Sequence, residues 1–210
     1  MTFDAPAQSH NASDPFVRLF NVSCFDLLLI EIVPMAERLV RELELANGGP
    51  SSTSTAAATA SKDGTGSVAK PDEEDVREAT FYRLESLGYR VGQGLAERFS
   101  RDRPRFSDHL DVIKFICKDL WTILYRKQVD NLKTNHRGVY VLTDNTFRPF
   151  IRMSMAVRSE AVARAQPHLW FPCGIIRGAL SSLGINAMVQ AETSELPGAT
   201  FQIKTIQAKS

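Results

Sequence analysis

The stretch from Pro172 to Gly184 constrains the fold most. It has helical spacing, yet Gly174, Gly178 and Ser182 recur every fourth residue, so one face of the helix carries almost no side chain. A glycine inside a helix costs up to about 1 kcal/mol relative to alanine. Two on one stripe therefore imply that another backbone approaches closely. Pro172 suits a first helical turn and Gly184 suits the position just past the last one. Two alternating segments follow, Ala187–Thr193 and Thr200–Thr205, separated by a turn at Pro197-Gly198. The expected unit is a helix laid on an antiparallel hairpin and packed through its small residues.

Upstream, a helix is expected over about 23–46, with Ser23 as N-cap and Pro34 kinking or splitting it. A second spans about 72–101, its first turn acidic through Asp72, Glu73, Glu74 and Asp75 and its middle weakened or bent by Gly88, Gly92 and Gly94. A third starts after Ser107 as N-cap, with Ile113, Ile116, Cys117, Leu120 and Leu124 at helical spacing. Strands follow at about 131–134 and 138–143, joined by a turn at Asn135–Gly138 in which glycine can take positive φ. The order is three helices, two strands, one helix, two strands. That predicts an α+β fold, with helices on one face of a small twisted antiparallel sheet.

One domain over 21–210 is expected, behind a flexible tail at 1–20. It is interrupted by a Ser/Thr/Ala/Gly-rich disordered linker at 47–71 and by a polar excursion at 154–168 that is either loop or short helix.

Composition argues against several functions. A net charge of +1 over 210 residues gives no broad basic field for nucleic acid or anionic lipid. No run of about 18 apolar residues exists to span a membrane. The N-terminus lacks a basic-then-apolar leader, which points to the cytoplasm. Cys24, Cys117 and Cys173 lie in apolar helical segments without metal or redox spacing, so they read as free buried thiols. His10, His109, His136 and His168 share no ligand spacing. The glycine cluster at 88–94 lacks the Lys-Ser/Thr ending of a phosphate loop and lies in a helical pattern, which favours close helix packing or a bend. Cys173 beside a helix start is the best available nucleophile, yet its apolar neighbours favour a packed thiol. Neither a cofactor, a metal site nor catalysis is expected.

The first helix is too apolar for a lone domain. Cys24, Phe25, Leu27, Leu28, Leu29, Ile30, Ile32 and Val33 crowd its first half. Residues 25, 28, 29 and 32 form one face that can meet the chain's own core. Leu27, Ile30 and Val33 point elsewhere. Each such side chain gains roughly 1.5–3 kcal/mol on burial. Full burial in the chain's own core is one reading; a subunit interface accounts better for a helix apolar nearly all round.

Three ordered motifs resemble a known family: Leu84–Phe99, the run from Leu110 to Phe147, and Cys173-Gly174-Ile175-Ile176-Arg177-Gly178-Ala179-Leu180. Together they are similar to the small subunits of TRAPP, the transport protein particle, and within it to the sixth-subunit branch, whose yeast member is the thirty-three-kilodalton subunit. The linker at 47–71 departs from the family, where this connection is usually shorter.

The resemblance implies a non-catalytic scaffold in a vesicle-tethering complex that also promotes nucleotide exchange on a Rab-type GTPase in ER–Golgi and Golgi traffic. It implies heterodimerisation through the first two helices, chiefly with the acylated third-type subunit. By position, the interface candidates are Leu27, Leu28, Ile30, Glu31, Leu84, Leu87 and Val91. The GTPase would be met only through the assembled complex, and membrane contact would be peripheral and indirect. Some relatives carry an acylated cysteine at the start of the third helix. The corresponding stretch here, 102–108, has none, so no acylation is expected there. The alternative is a small-molecule or acyl-binding module of the same fold.

Overall fold

The computed structural model describes residues 21–47, 73–135 and 137–206. Helix α1 is Val22–Asn47 and α2 is Glu73–Ser100. A helical rod follows, built from α3 (His109–Phe115), a π turn (Ile116–Leu120) and α4 (Trp121–Tyr125). Strands β1 (Asn131–Thr134) and β2 (Val139–Asp144) come next, then a 3-10 turn at Arg148–Phe150. Helix α5 (Arg158–Ala165) and a 3-10 turn (Gln166–Leu169) lead into α6 (Trp170–Ser182), and β3 (Ala187–Glu192) and β4 (Ala199–Thr205) close the fold. The sheet is antiparallel, in the order β1-β2-β4-β3. The α+β class follows, with one helix more than expected. The excursion at 154–168 is α5 and its 3-10 extension, which bury mainly the small residues Ala161 and Ala165 together with Leu169. The expected tail at 1–20, the linker at 47–71 apart from Asn47, and His136 lie outside the described residues.

Register explains which sheet face is buried. Leu142 stands opposite Phe201, and Tyr140 opposite Ile203. Directly opposed residues share a face, and these four are buried. Trp121 of the rod meets Phe201 edge-on at 5.3 Å between ring centroids, and Phe147 packs against Trp121, Tyr125, Phe150 and Phe201. These rings fill the space between rod and sheet.

Several local expectations need correction. The cap of α1 is Asn21, whose Oδ1 accepts from the Ser23 amide at 2.8 Å, rather than Ser23. Asp108, not Ser107, caps α3 by accepting from the Asp111 amide at 2.7 Å. Pro34 does not split α1, which stays helical through it. The π turn frees the Cys117 carbonyl, which accepts instead from the Val129 amide at 3.0 Å and so fixes the chain's path out of the rod. The turn before β2 does place Gly138 at φ +81°.

The glycine stripe packs on α2, not on the hairpin. A Cβ added to Gly174 would lie 2.9 Å from the Tyr89 amide nitrogen, and one on Gly178 would lie 2.7 Å from the Tyr89 carbonyl carbon. Reciprocally, a Cβ on Gly88 would lie 3.0 Å from the Ile175 nitrogen and one on Gly92 2.8 Å from the Ile175 carbonyl carbon. Two glycine pairs thus interlock backbone against backbone, and α2 stays helical through its glycines. Tyr89 donates to Ser181 Oγ at 2.8 Å, and Arg177 donates to Glu85 Oε2 at 2.5 Å across the same contact. Ser182 lies outside it: the side chain is exposed at the last turn. Beyond it, the amides of Gly184 and Ile185 return to the carbonyls of Ser181 and Leu180 at 3.1 and 2.9 Å, with Gly184 at φ +82°. This is a glycine-closed helix end of the kind its sequence suggested.

Candidate docking surface

Helix α1 presents two faces. Leu29, Ile32, Val33, Ala36 and Val40 are buried against the body. Leu27 (65% exposed), Leu28, Ile30, Met35, Leu39, Leu43 and Leu45 (57% exposed) are open to solvent. Leu28, Met35, Leu39 and Leu43, spaced seven, four and four, line up along the helix. At about 1.5 Å per residue, this apolar strip runs most of the length of α1. Glu31 is exposed within it and pairs with Arg38 at 2.5 Å.

Val33, expected to face away from the core, is buried. Leu28, placed by spacing on the inward face and by position among the interface candidates, is exposed, as are Leu27 and Ile30. On α2, Leu84 is 1% exposed and belongs to the chain's own core, so it is not available to a partner. Leu87 and Val91 are half-buried against that core. Met35, Leu39, Leu43 and Leu45 were missed, although the helical spacing carries them past Pro34.

An ion pair fixes the start of α1. Arg148 Nε donates to Asp26 Oδ1 at 2.7 Å and Nη2 donates to Oδ2 at 3.0 Å, a two-pronged pair. It holds the Asp26 carboxyl below the usual carboxylate range. Deeper in the body, Asp144 is fully buried. It accepts from Trp121 Nε1 at 2.8 Å and from Lys127 Nζ at 2.6 Å, while Lys127 also donates to Asp130 at 2.8 Å. Burial opposes the charge on Lys127, and the bonds to Asp130 and Asp144 outweigh it, raising its pKa.

His168 sits under α1. Burial holds its imidazole below its ordinary pKa, opposed by a bond to the Leu29 backbone, and Nδ1 is buried without a partner among the described residues. The unfolded chain therefore takes up the proton first. The contribution of neutral, buried His168 to stability is present above pH 6.5 and declines as pH falls below it. In chemical denaturation from pH 7.5 to 5, His168→Gln is expected to show a shallower acid decline than the parent; equal slopes would contradict this.

The thiols divide differently from expectation. Cys24 is exposed, whereas Cys117 and Cys173 are buried. Desolvation pushes each of the latter up to about 12, which leaves Cys173 a packed thiol with almost no thiolate at neutral pH. Cys24 alone should therefore react with Ellman's reagent in the native protein, with Cys117 and Cys173 following only in denaturant. Rapid native reaction of a second thiol would contradict the packing.

Comparison with known proteins agrees with this architecture. Residues 25–206 match the family model described as "Transport protein particle (TRAPP) component". The chain belongs to the TRAPP family. It is 54% identical over 121 residues to the mouse protein named trafficking protein particle complex subunit 6B, covering 58% of this chain and 75% of that one. It is 45% identical over 120 residues to the bovine protein named subunit 6A, covering 57% and 74%. An uncharacterized fission-yeast protein is 35% identical over 184 residues, covering 88% of this chain and 63% of that one. Among solved structures, subunit 3 of the complex from Naegleria fowleri, covalently bound to palmitic acid, superposes with a TM-score of 0.59 at 12% identity, covering 89% and 98%. That likeness speaks to the fold alone. This TRAPP component has no helix, among its described residues, long and apolar enough to cross a membrane.

Proposed function

We propose that this TRAPP component is a non-catalytic scaffold of the sixth-subunit type. It pairs with an acylated third-type small subunit through the exposed apolar face of α1, with Leu87 and Val91 of α2 at the margin. The observation that carries this reading is the strip Leu28, Met35, Leu39, Leu43, open to solvent, with Leu27, Ile30 and Leu45 also exposed elsewhere around the same helix. So many large apolar groups on one helix mark an association surface. A standard interface buries about 800 Å² per partner, which a helix of this length can supply.

In this reading Gly174 and Gly178 hold α6 against α2, so that the α1–α2 face is presented as a rigid platform. The assembled particle tethers vesicles and promotes nucleotide release from a Rab-type GTPase on Golgi and ER–Golgi membranes, and this chain contributes architecture. Release of a fluorescent GDP analogue from the GTPase should stay at its intrinsic rate with the isolated chain. It should fall below the full rate when a reconstituted particle lacks the chain. Acceleration by the isolated chain would contradict the scaffold reading. The acyl-binding alternative gains no support from the space between rod and sheet, where Trp121, Phe147 and Phe201 pack.

A further inference from the structure

Beside the start of α1 lies a cavity of about 330 Å³, bounded by α1, the end of α4 and the turn after β2. Its apolar wall includes Leu29, Ile30, Pro149 and Ile151, and four cationic residues border it: Arg126, Lys127, Arg148 and Arg152. Two of these have carboxylate partners. Arg148 is held by Asp26, and Lys127 by Asp130 and Asp144. Arg126 and Arg152 make no direct carboxylate contact among the described residues, and both are exposed, although Asp26 also borders the cavity and feels the charge of Arg152. Arg126 is held at the rim by backbone geometry: it ends α4 in the left-handed region at φ 62°, its amide bonded to the Thr122 carbonyl at 3.0 Å. The cavity thus has an excess of positive charge inside an apolar frame. Ile30 belongs to this frame and is itself exposed on α1, one turn from Leu27.

We propose that the cavity receives an aspartate or glutamate side chain of the subunit that docks on α1, with Arg126 and Arg152 as its counter-charges. The inference rests on the docking reading above and adds the chemistry of the contact. Continuity through Ile30 favours a carboxylate borne by the docked chain over a free anion. The apolar rim of Ile30 and Ile151 favours an acidic residue flanked by apolar ones. Two guanidinium groups without a direct carboxylate bond suit one carboxylate, and such a charged contact lends specificity and salt dependence to an otherwise apolar interface.

The test is a titration of the third-type subunit against the full chain at several salt concentrations, with thermal melts confirming that each variant is folded. Arg126→Gln with Arg152→Gln should weaken binding at least tenfold and flatten its salt dependence. A partner carrying lysine at the responsible acidic position should lose affinity and regain it against Arg126→Glu with Arg152→Glu. Unchanged affinity in the glutamine pair, alongside loss in Leu27→Asp with Ile30→Asp, would overturn this inference and leave the docking reading standing. Loss in neither pair would remove both. Tighter binding by the glutamine pair would also overturn the inference.

Discussion

Replacing Gly92 by alanine is expected to cost about 3 kcal/mol of folding stability, while the same change at Gly94 is expected to gain about 0.5–1 kcal/mol. The two residues lie on one helix and differ only in what faces them. A Cβ at Gly92 would enter the backbone of Ile175, whereas one at Gly94 meets nothing within 4 Å. Backbone cannot rotate aside as a side chain does, so α2 and α6 would have to separate. That would also open the contacts at Gly88, Gly174 and Gly178 and stretch the Tyr89–Ser181 and Arg177–Glu85 links. At Gly94 only the intrinsic preference of the helix for alanine remains. Urea denaturation of both variants measures the pair. A Gly92→Ala protein within about 0.5 kcal/mol of the parent, the level at which ordinary surface changes fall, would contradict the interlocked packing.

Asp144→Ala is expected to be equally damaging, at about 3–5 kcal/mol. For a chain of this size that lowers the melting temperature by roughly 10 °C. Asp144 accepts from Trp121 on one oxygen and from Lys127 on the other, with no exposure to water. Its loss leaves an indole N–H unpaired in the core and strips Lys127 of its shorter carboxylate contact. Asp130→Ala, which removes the partly exposed partner of the same lysine, should cost much less because water can replace it. Thermal melts of the two variants should therefore differ widely, and equal losses would contradict the role assigned to the buried carboxylate.

The parts of the molecule that could be read from sequence are those whose cause is local. Strand alternation, the turn at Gly138 and the glycine end of α6 depend on neighbours a few residues away, and these placements agree with the structure. The need for a close backbone at Gly174 and Gly178 was equally legible. Its partner was not, because Gly88 and Gly92 lie more than eighty residues upstream and a single sequence does not say which stripes meet. Ser182 continued the spacing on paper, but the helix ends there. Leu84 followed by position from the family resemblance, and a leucine at such a position suits core and interface alike. Val33 was placed outward because a helix apolar nearly all round offers little contrast from which to read its inward face. The cluster of Trp121, Lys127, Asp130 and Asp144 left no motif, since three elements bring it together. The mild amphipathy of α5 was lost because its buried residues are chiefly alanines.

The central claim is that the exposed face of α1 is an interface rather than a solvated helix. Light scattering after size exclusion, on the chain alone and mixed with the third-type TRAPP subunit from the same source, tests it most directly. The predicted result is a 1:1 complex that disappears with Leu27→Asp and Ile30→Asp while both components remain folded. A chain that stays monomeric and ignores that partner, or a complex indifferent to those two substitutions, would contradict it.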